Sequence, residues 1–183
     1  MNARERVTAA LECRRPDRLP RYDVFLPGYT DLWREARRAA PDADPYDDYP
    51  KIDIGGVLAT QEGPFLSRVR VERESDADYA VRDSWGRLRR HSRTGFFYEV
   101  LDTVIREKRD LDALVFEDPT APERYAPVEE EAARRRDRFA PVSGVLGLFM
   151  SSWNLRGEAA FLTDLLEDEP FCRALVDRLA QFL

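Results

Sequence analysis

The sequence predicts an α/β chain in which parallel strands are separated by helices and a small antiparallel meander is inserted. Two observations carry this. Three short apolar runs, at residues 19–26, 52–60 and 139–146, are separated by stretches of helical spacing, the order that parallel β/α units require. From Arg68 to Arg93 the apolar period falls to two, which is the spacing of a half-buried antiparallel strand.

The first element is a short helix. Asn2 followed three residues later by Glu5 forms a capping box, and Ala3, Val7, Ala10 and Leu11 repeat at helical spacing until Arg14-Arg15-Pro16. The run Leu19 to Leu26 is a strand that ends at Pro27-Gly28, and a helix follows through Leu32, Trp33 and Ala36. Residues 41 to 50, rich in Pro, Asp and Tyr, form a loop. Ile52 to Thr60 is a buried strand in which Gly55-Gly56 marks close backbone approach. In the meander, Val69 and Val71 alternate with arginines, and Tyr79-Ala80-Val81 and Trp85-Gly86-Arg87-Leu88 follow. Leu111, Leu114 and Val115 close a short helix or turn, and a charged helix covers 128–138. Phe139 to Leu146 is the third strand, leading into a helical stretch with Leu148, Phe149, Trp153 and Leu155. Gly157 separates it from a helix over 158–167, and Pro170 opens a last helix with the apolar stripe Phe171, Leu175, Val176, Leu179 and Phe182. That stripe reaches Leu183 without a glycine, proline or basic turn, so a continuation is expected.

With 183 residues, 43% hydrophobic and 35% charged, the chain is expected to be one domain or a large piece of one. No apolar stretch is long enough to span a membrane or to serve as a secretory leader, so the expected location is the cytoplasm, with no membrane partner. A net charge of −6 argues against a nucleic-acid partner. Arg134-Arg135-Arg136 follows Glu129-Glu130-Glu131 at helical spacing, and Arg87, Arg89, Arg90 and Arg93 are read as a solvent face.

His91 is the sole histidine, and Cys13 and Cys172 lie far apart. Histidine-based zinc, Ser-His-Asp and Cys-His chemistry are therefore short of groups, and no phosphate-binding glycine loop occurs. His91 is read as an exposed structural residue. Asp23, Asp47, Asp48, Asp53 and Glu62 are read as caps, turn residues or surface charges. No catalytic residue is assigned.

Several segments carry a resemblance. Arg4-Glu5-Arg6-Val7, Ala9-Ala10-Leu11 and Pro16-Asp17-Arg18-Leu19-Pro20 open the chain; Asp83-Ser84-Trp85-Gly86 supplies an Asp-x-Trp-Gly element; Leu155-Arg156-Gly157-Glu158, Phe161-Leu162, Asp164-Leu165-Leu166 and Asp168-Glu169-Pro170 close it. In this order they resemble the N-terminal part of the uroporphyrinogen decarboxylase superfamily, on the branch near the methylcobamide:coenzyme M methyltransferases. The resemblance implies an incomplete (β/α)8 TIM barrel, about the first three β/α units, with residues 1–183 in one barrel domain and 68–93 as the meander insertion. A whole barrel of this kind takes about 250 residues.

For function, the resemblance implies a partial enzyme of the corrinoid-linked methyltransferase-like branch, inactive alone. Its partners would be a small-molecule substrate, either a tetrapyrrole or a methyl donor on a corrinoid protein, and a homodimer is compatible with it. No cofactor is expected in this chain; zinc would be held by the C-terminal half. Where family decarboxylases carry an arginine-rich loop, this chain reads Leu26-Pro27-Gly28-Tyr29, and Ala59-Thr60-Gln61-Glu62 replaces their Ser-Asp-Ile-Leu. Aligned on Gly157, Trp153 stands where the decarboxylases have a pocket tyrosine. Gln61, Glu62, Trp153 and Asn154 are thus the expected substrate-binding residues. The alternatives are a uroporphyrinogen decarboxylase with a diverged pocket, and a non-catalytic assembly module whose apolar last helix and open sheet edge a partner covers.

Overall fold

A computed structural model describes the chain except Val57, Thr60, Gln61, Glu62 and Phe96, and describes Pro27, Leu58 and Ala59 by backbone alone. Along the chain run α1 (Ala3–Leu11), β1 (Tyr22–Asp23), α2 (Pro27–Arg37), β2 (Ile54–Gly55), β3 (Leu58–Ala59), β4 (Arg70–Glu74), β5 (Asp78–Arg82), β6 (Leu88–Ser92), β7 (Tyr98–Asp102), α3 (Ala126–Arg135), β8 (Ser143–Gly144), α4 (Leu148–Arg156), α5 (Glu158–Glu167) and α6 (Glu169–Phe182). The fold is mixed α/β. Contacts divide it into two units, Met1–Thr60 with Tyr125–Gly144 and Gln61–Arg124 with Val145–Leu183. No helix among the described residues is long and apolar enough to cross a membrane.

In the first unit, Asn2 caps α1 by accepting from the Glu5 amide at 2.8 Å, and Glu5 returns the bond to the Asn2 amide at 3.0 Å. β1 pairs parallel with β2, Tyr22 opposite Ile54 and Asp23 opposite Gly55. β3 pairs parallel with β8, Leu58 opposite Ser143 and Ala59 opposite Gly144. Among the described residues of the expected strand over 52–60, only Ile54–Gly55 and Leu58–Ala59 are strand. Gly56, at φ 86°, separates them, because positive φ leaves the extended region. Pro20 and Pro27 bracket the first strand and Pro141 precedes β8, each removing a ladder donor.

Asp53 holds this unit together. Its buried carboxylate accepts from Arg18 at 2.6 Å and 3.0 Å and from the Arg21 amide at 2.9 Å, and it pairs with Arg6 of α1. Burial works to raise its pKa, but Arg18, the Arg21 amide and Arg6 outweigh it and hold the carboxyl below its ordinary value. A small core of Tyr46, Ile52 and Phe139, with Phe25 against it, lies nearby.

In the second unit, β4-β5-β6-β7 form one antiparallel sheet in sequence order. It runs past Arg93 to Asp102, with Tyr98 returning opposite His91. Helices α4, α5 and α6 pack on one another and on Phe65, Trp85, Ile105, Leu111 and Leu114. The stripe of the last helix is not exposed: Phe171, Leu175, Leu179 and Phe182 are buried within this unit, and Val176 is half-buried.

Candidate functional site

The Asp-x-Trp-Gly element is a tight turn whose members each have a physical task. The Asp83 carboxylate accepts from the Trp85 and Arg87 amides, both at 3.0 Å, closing the turn from inside. Trp85 is a core residue. Gly86 takes φ 74°, and a Cβ there would come within 2.3 Å of Val104. A side chain at this position meets both backbone strain and a collision.

The turn delivers Arg87 to a buried position, which corrects its assignment to a solvent face. Its Nε donates to Asp83 at 2.9 Å and its Nη1 donates to the Asn154 side-chain oxygen at 2.5 Å. Arg89 also approaches Asp83, at 3.0 Å, so one carboxylate answers two guanidinium groups. Arg89 lies over the Tyr98 ring at 4.7 Å.

Arg87, Tyr98 and Asn154 border a cleft of about 720 Å³ within the second unit. One wall is β7, with Tyr98, Val100 and Leu101; the other is α4, with Met150, Trp153 and Asn154. Trp153 is half-buried and meets Phe149 edge to face, with ring centroids 6.3 Å apart. Asp102, held below the usual carboxylate range chiefly by Arg106, and the exposed Glu158 complete the charged lining.

Of the four expected binding residues, Trp153 and Asn154 share this cleft, whereas Gln61 and Glu62 lie outside the described residues. Arg87 and Tyr98 were not expected in a site. The spacing of Asp83 and Arg87 across a glycine turn was the signal available for Arg87; nothing local marks Tyr98. His91 is half-buried, stacked on Tyr79 at 4.9 Å and tilted against Tyr98 at 5.3 Å. Burial, then the charge of Arg89, lowers its pKa.

The other motif residues bear structure. Arg156 donates to Asp164 at 2.7 Å and to the Arg106 carbonyl at 2.6 Å, and Lys108 bridges Asp164 at 3.2 Å and Asp168 at 2.8 Å. Asp168 in turn caps α6 by accepting from the Phe171 amide at 3.1 Å. For metal binding, Cys172 is buried in α6 with its thiol pKa pushed up by burial and by Asp164 and Asp168, while Cys13 is exposed. Among the described residues no three His, Cys, Asp or Glu side chains converge.

No protein-family model matches the chain, and no significant match is found to a curated protein or a solved structure.

Proposed function

We propose that the chain supplies the first strands of a uroporphyrinogen decarboxylase-superfamily barrel, on the methyltransferase-like branch, and that the Trp153–Asn154 cleft belongs to its substrate-binding apparatus. The observation that carries the reading is the strand order of the first unit. β1 pairs parallel with β2 and β3 pairs parallel with β8, with α2 between β1 and β2 and α3 between β3 and β8. These two parallel pairs, each joined by a connection that contains a helix, form separate two-stranded sheets and support the reading as neighbouring strand pairs of a (β/α)8 barrel would. Tyr22, Asp23, Ser143 and Gly144 are exposed, as strands are before both faces of a parallel sheet are covered.

The resemblance implies a zinc held by a histidine and cysteines in the C-terminal half, so its ligands would come from beyond the residues described. The contribution of this chain is then to bind and orient. Arg87, fixed by Asp83 and Asn154, gives a directional donor, and Trp153 and Tyr98 give apolar walls.

The test is to read the gene downstream of Leu183 and assay its product. The expected result is a frame that continues with a His-x-Cys pair and a later cysteine, and a zinc-loaded product that demethylates methylcobalamin in the presence of a thiol. A continuation without those ligands, or a product that ignores methylcobalamin and decarboxylates uroporphyrinogen, contradicts the proposal.

A further inference from the structure

The geometry points to a ligand class for the cleft: a small amphipathic monoanion, its carboxylate on Arg87 and its apolar body between Val100, Met150 and Trp153. The inference rests on the reading of the cleft as a binding site and is independent of the barrel assignment.

Charge carries it first. Arg87 is 8% exposed, and Asp83, its ionic partner, is shared with Arg89. One carboxylate facing two guanidinium groups leaves an excess positive charge in a water-poor setting, where an unmatched charge is costly and an incoming anion is strongly favoured. The Arg87 Nε and Nη2 face Asp83 and its Nη1 faces Asn154, which leaves one N–H on each of Nη1 and Nη2 for an incoming carboxylate. Asp102 does not supply the missing anion, since Arg106 at 2.6 Å and Arg82 at 3.7 Å already face it. Glu158, the remaining carboxylate of the lining, is exposed at the start of α5.

Shape and polarity give the rest. A volume of about 720 Å³ is within the range of small-molecule sites. The apolar lining from Tyr98, Val100, Leu101, Met150 and Trp153 offers little to a second charge, so a polyanion is disfavoured.

The probe is 2-naphthoate, compared with its neutral counterpart 2-naphthylmethanol, titrated calorimetrically into the 183-residue chain. Saturable binding of naphthoate is expected, at least roughly tenfold tighter than the alcohol, weakening as salt is added. Val100→Glu places a carboxylate opposite Arg89 on a residue 41% exposed, so the fold should survive it. Because Val100 also lines the cleft, that variant should weaken both probes, but naphthoate roughly tenfold more than the alcohol, with the same thermal melt as the parent. Arg87→Gln should abolish the preference for the anion. Equal affinity for the two probes, or no greater loss for naphthoate than for the alcohol in Val100→Glu, overturns the anion assignment. Failure of both probes to bind removes the cleft as a site. Neither result bears on the reading frame that tests the barrel.

Discussion

The two units reach stability by different routes. Among the described residues the second has four five-residue antiparallel strands joined in sequence order, the α-helices α4, α5 and α6, and a core in which Ile105, Leu155, Leu175 and Leu179 are fully buried. The first has two-residue parallel strands, and its apolar core centres on Tyr46, Ile52 and Phe139, while Asp53 with its arginines ties its segments together. Antiparallel strands can leave one face in water, whereas parallel strands depend on cover from both sides. Both units bury ion pairs, but the second adds them to an extensive apolar core, whereas the first has only a small one.

Substitutions can sharpen or break this contrast. Leu175→Ala should have the largest effect, costing about 4 kcal/mol, because a fully buried leucine leaves a cavity among α4, α5 and α6. Urea melts measure it, and hydrogen exchange should locate the loss in those helices. Asp53→Ala should cost about 2 kcal/mol, since it removes one of the two carboxylates on the buried Arg6, which keeps Asp17, and leaves Arg18 and the Arg21 amide without their acceptor; a loss near zero would mean that ion pairs do not hold the first unit. Gly86→Ala should cost about 2 kcal/mol through its positive φ and the approach to Val104, and a fluorescence melt reports it through Trp85.

The smallest effect concerns pH. His91 has its folded-state pKa lowered, so the unfolded chain takes up the proton first. Stability is full above about pH 6.5, the ordinary histidine value, and falls as pH drops from there to the lower folded-state value. His91→Phe keeps a ring between Tyr79 and Tyr98, and its melting temperature should lose the part of the pH dependence that lies in this window. An unchanged profile would place the titration elsewhere.

Local signals in the sequence were legible and distant pairings were not. The Asn2–Glu5 box and the helix at 158–167 were read with their boundaries, because caps, glycine breaks and helical periodicity act within a few residues. The burial of Arg87 depends on Asn154, 67 positions away, and that of Asp53 on Arg6 and Arg18, so no window of local sequence contains either. The absent stop signals of the last helix imply only a continuation, and its exposure belongs to the assembly-module alternative; periodicity cannot say what a stripe packs against, and here it packs on Phe65, Trp85 and their neighbours. The parallel strands were read too long, since apolar runs extend beyond the residues that Gly56 and the flanking prolines allow into a ladder. Trp153 and Asn154 came from the family resemblance; Arg87, which gives their cleft its charge, came from the folded geometry.

The parallel order of the first unit is most directly tested by interstrand nuclear Overhauser contacts in the labelled 183-residue chain. The fold described predicts backbone contacts of Tyr22 with Ile54 and of Leu58 with Ser143 in parallel register, together with slow exchange of the Gly56 amide, which donates to the Asp23 carbonyl at 3.0 Å. Antiparallel contacts between these segments, or none, would contradict the strand order on which the barrel proposal stands.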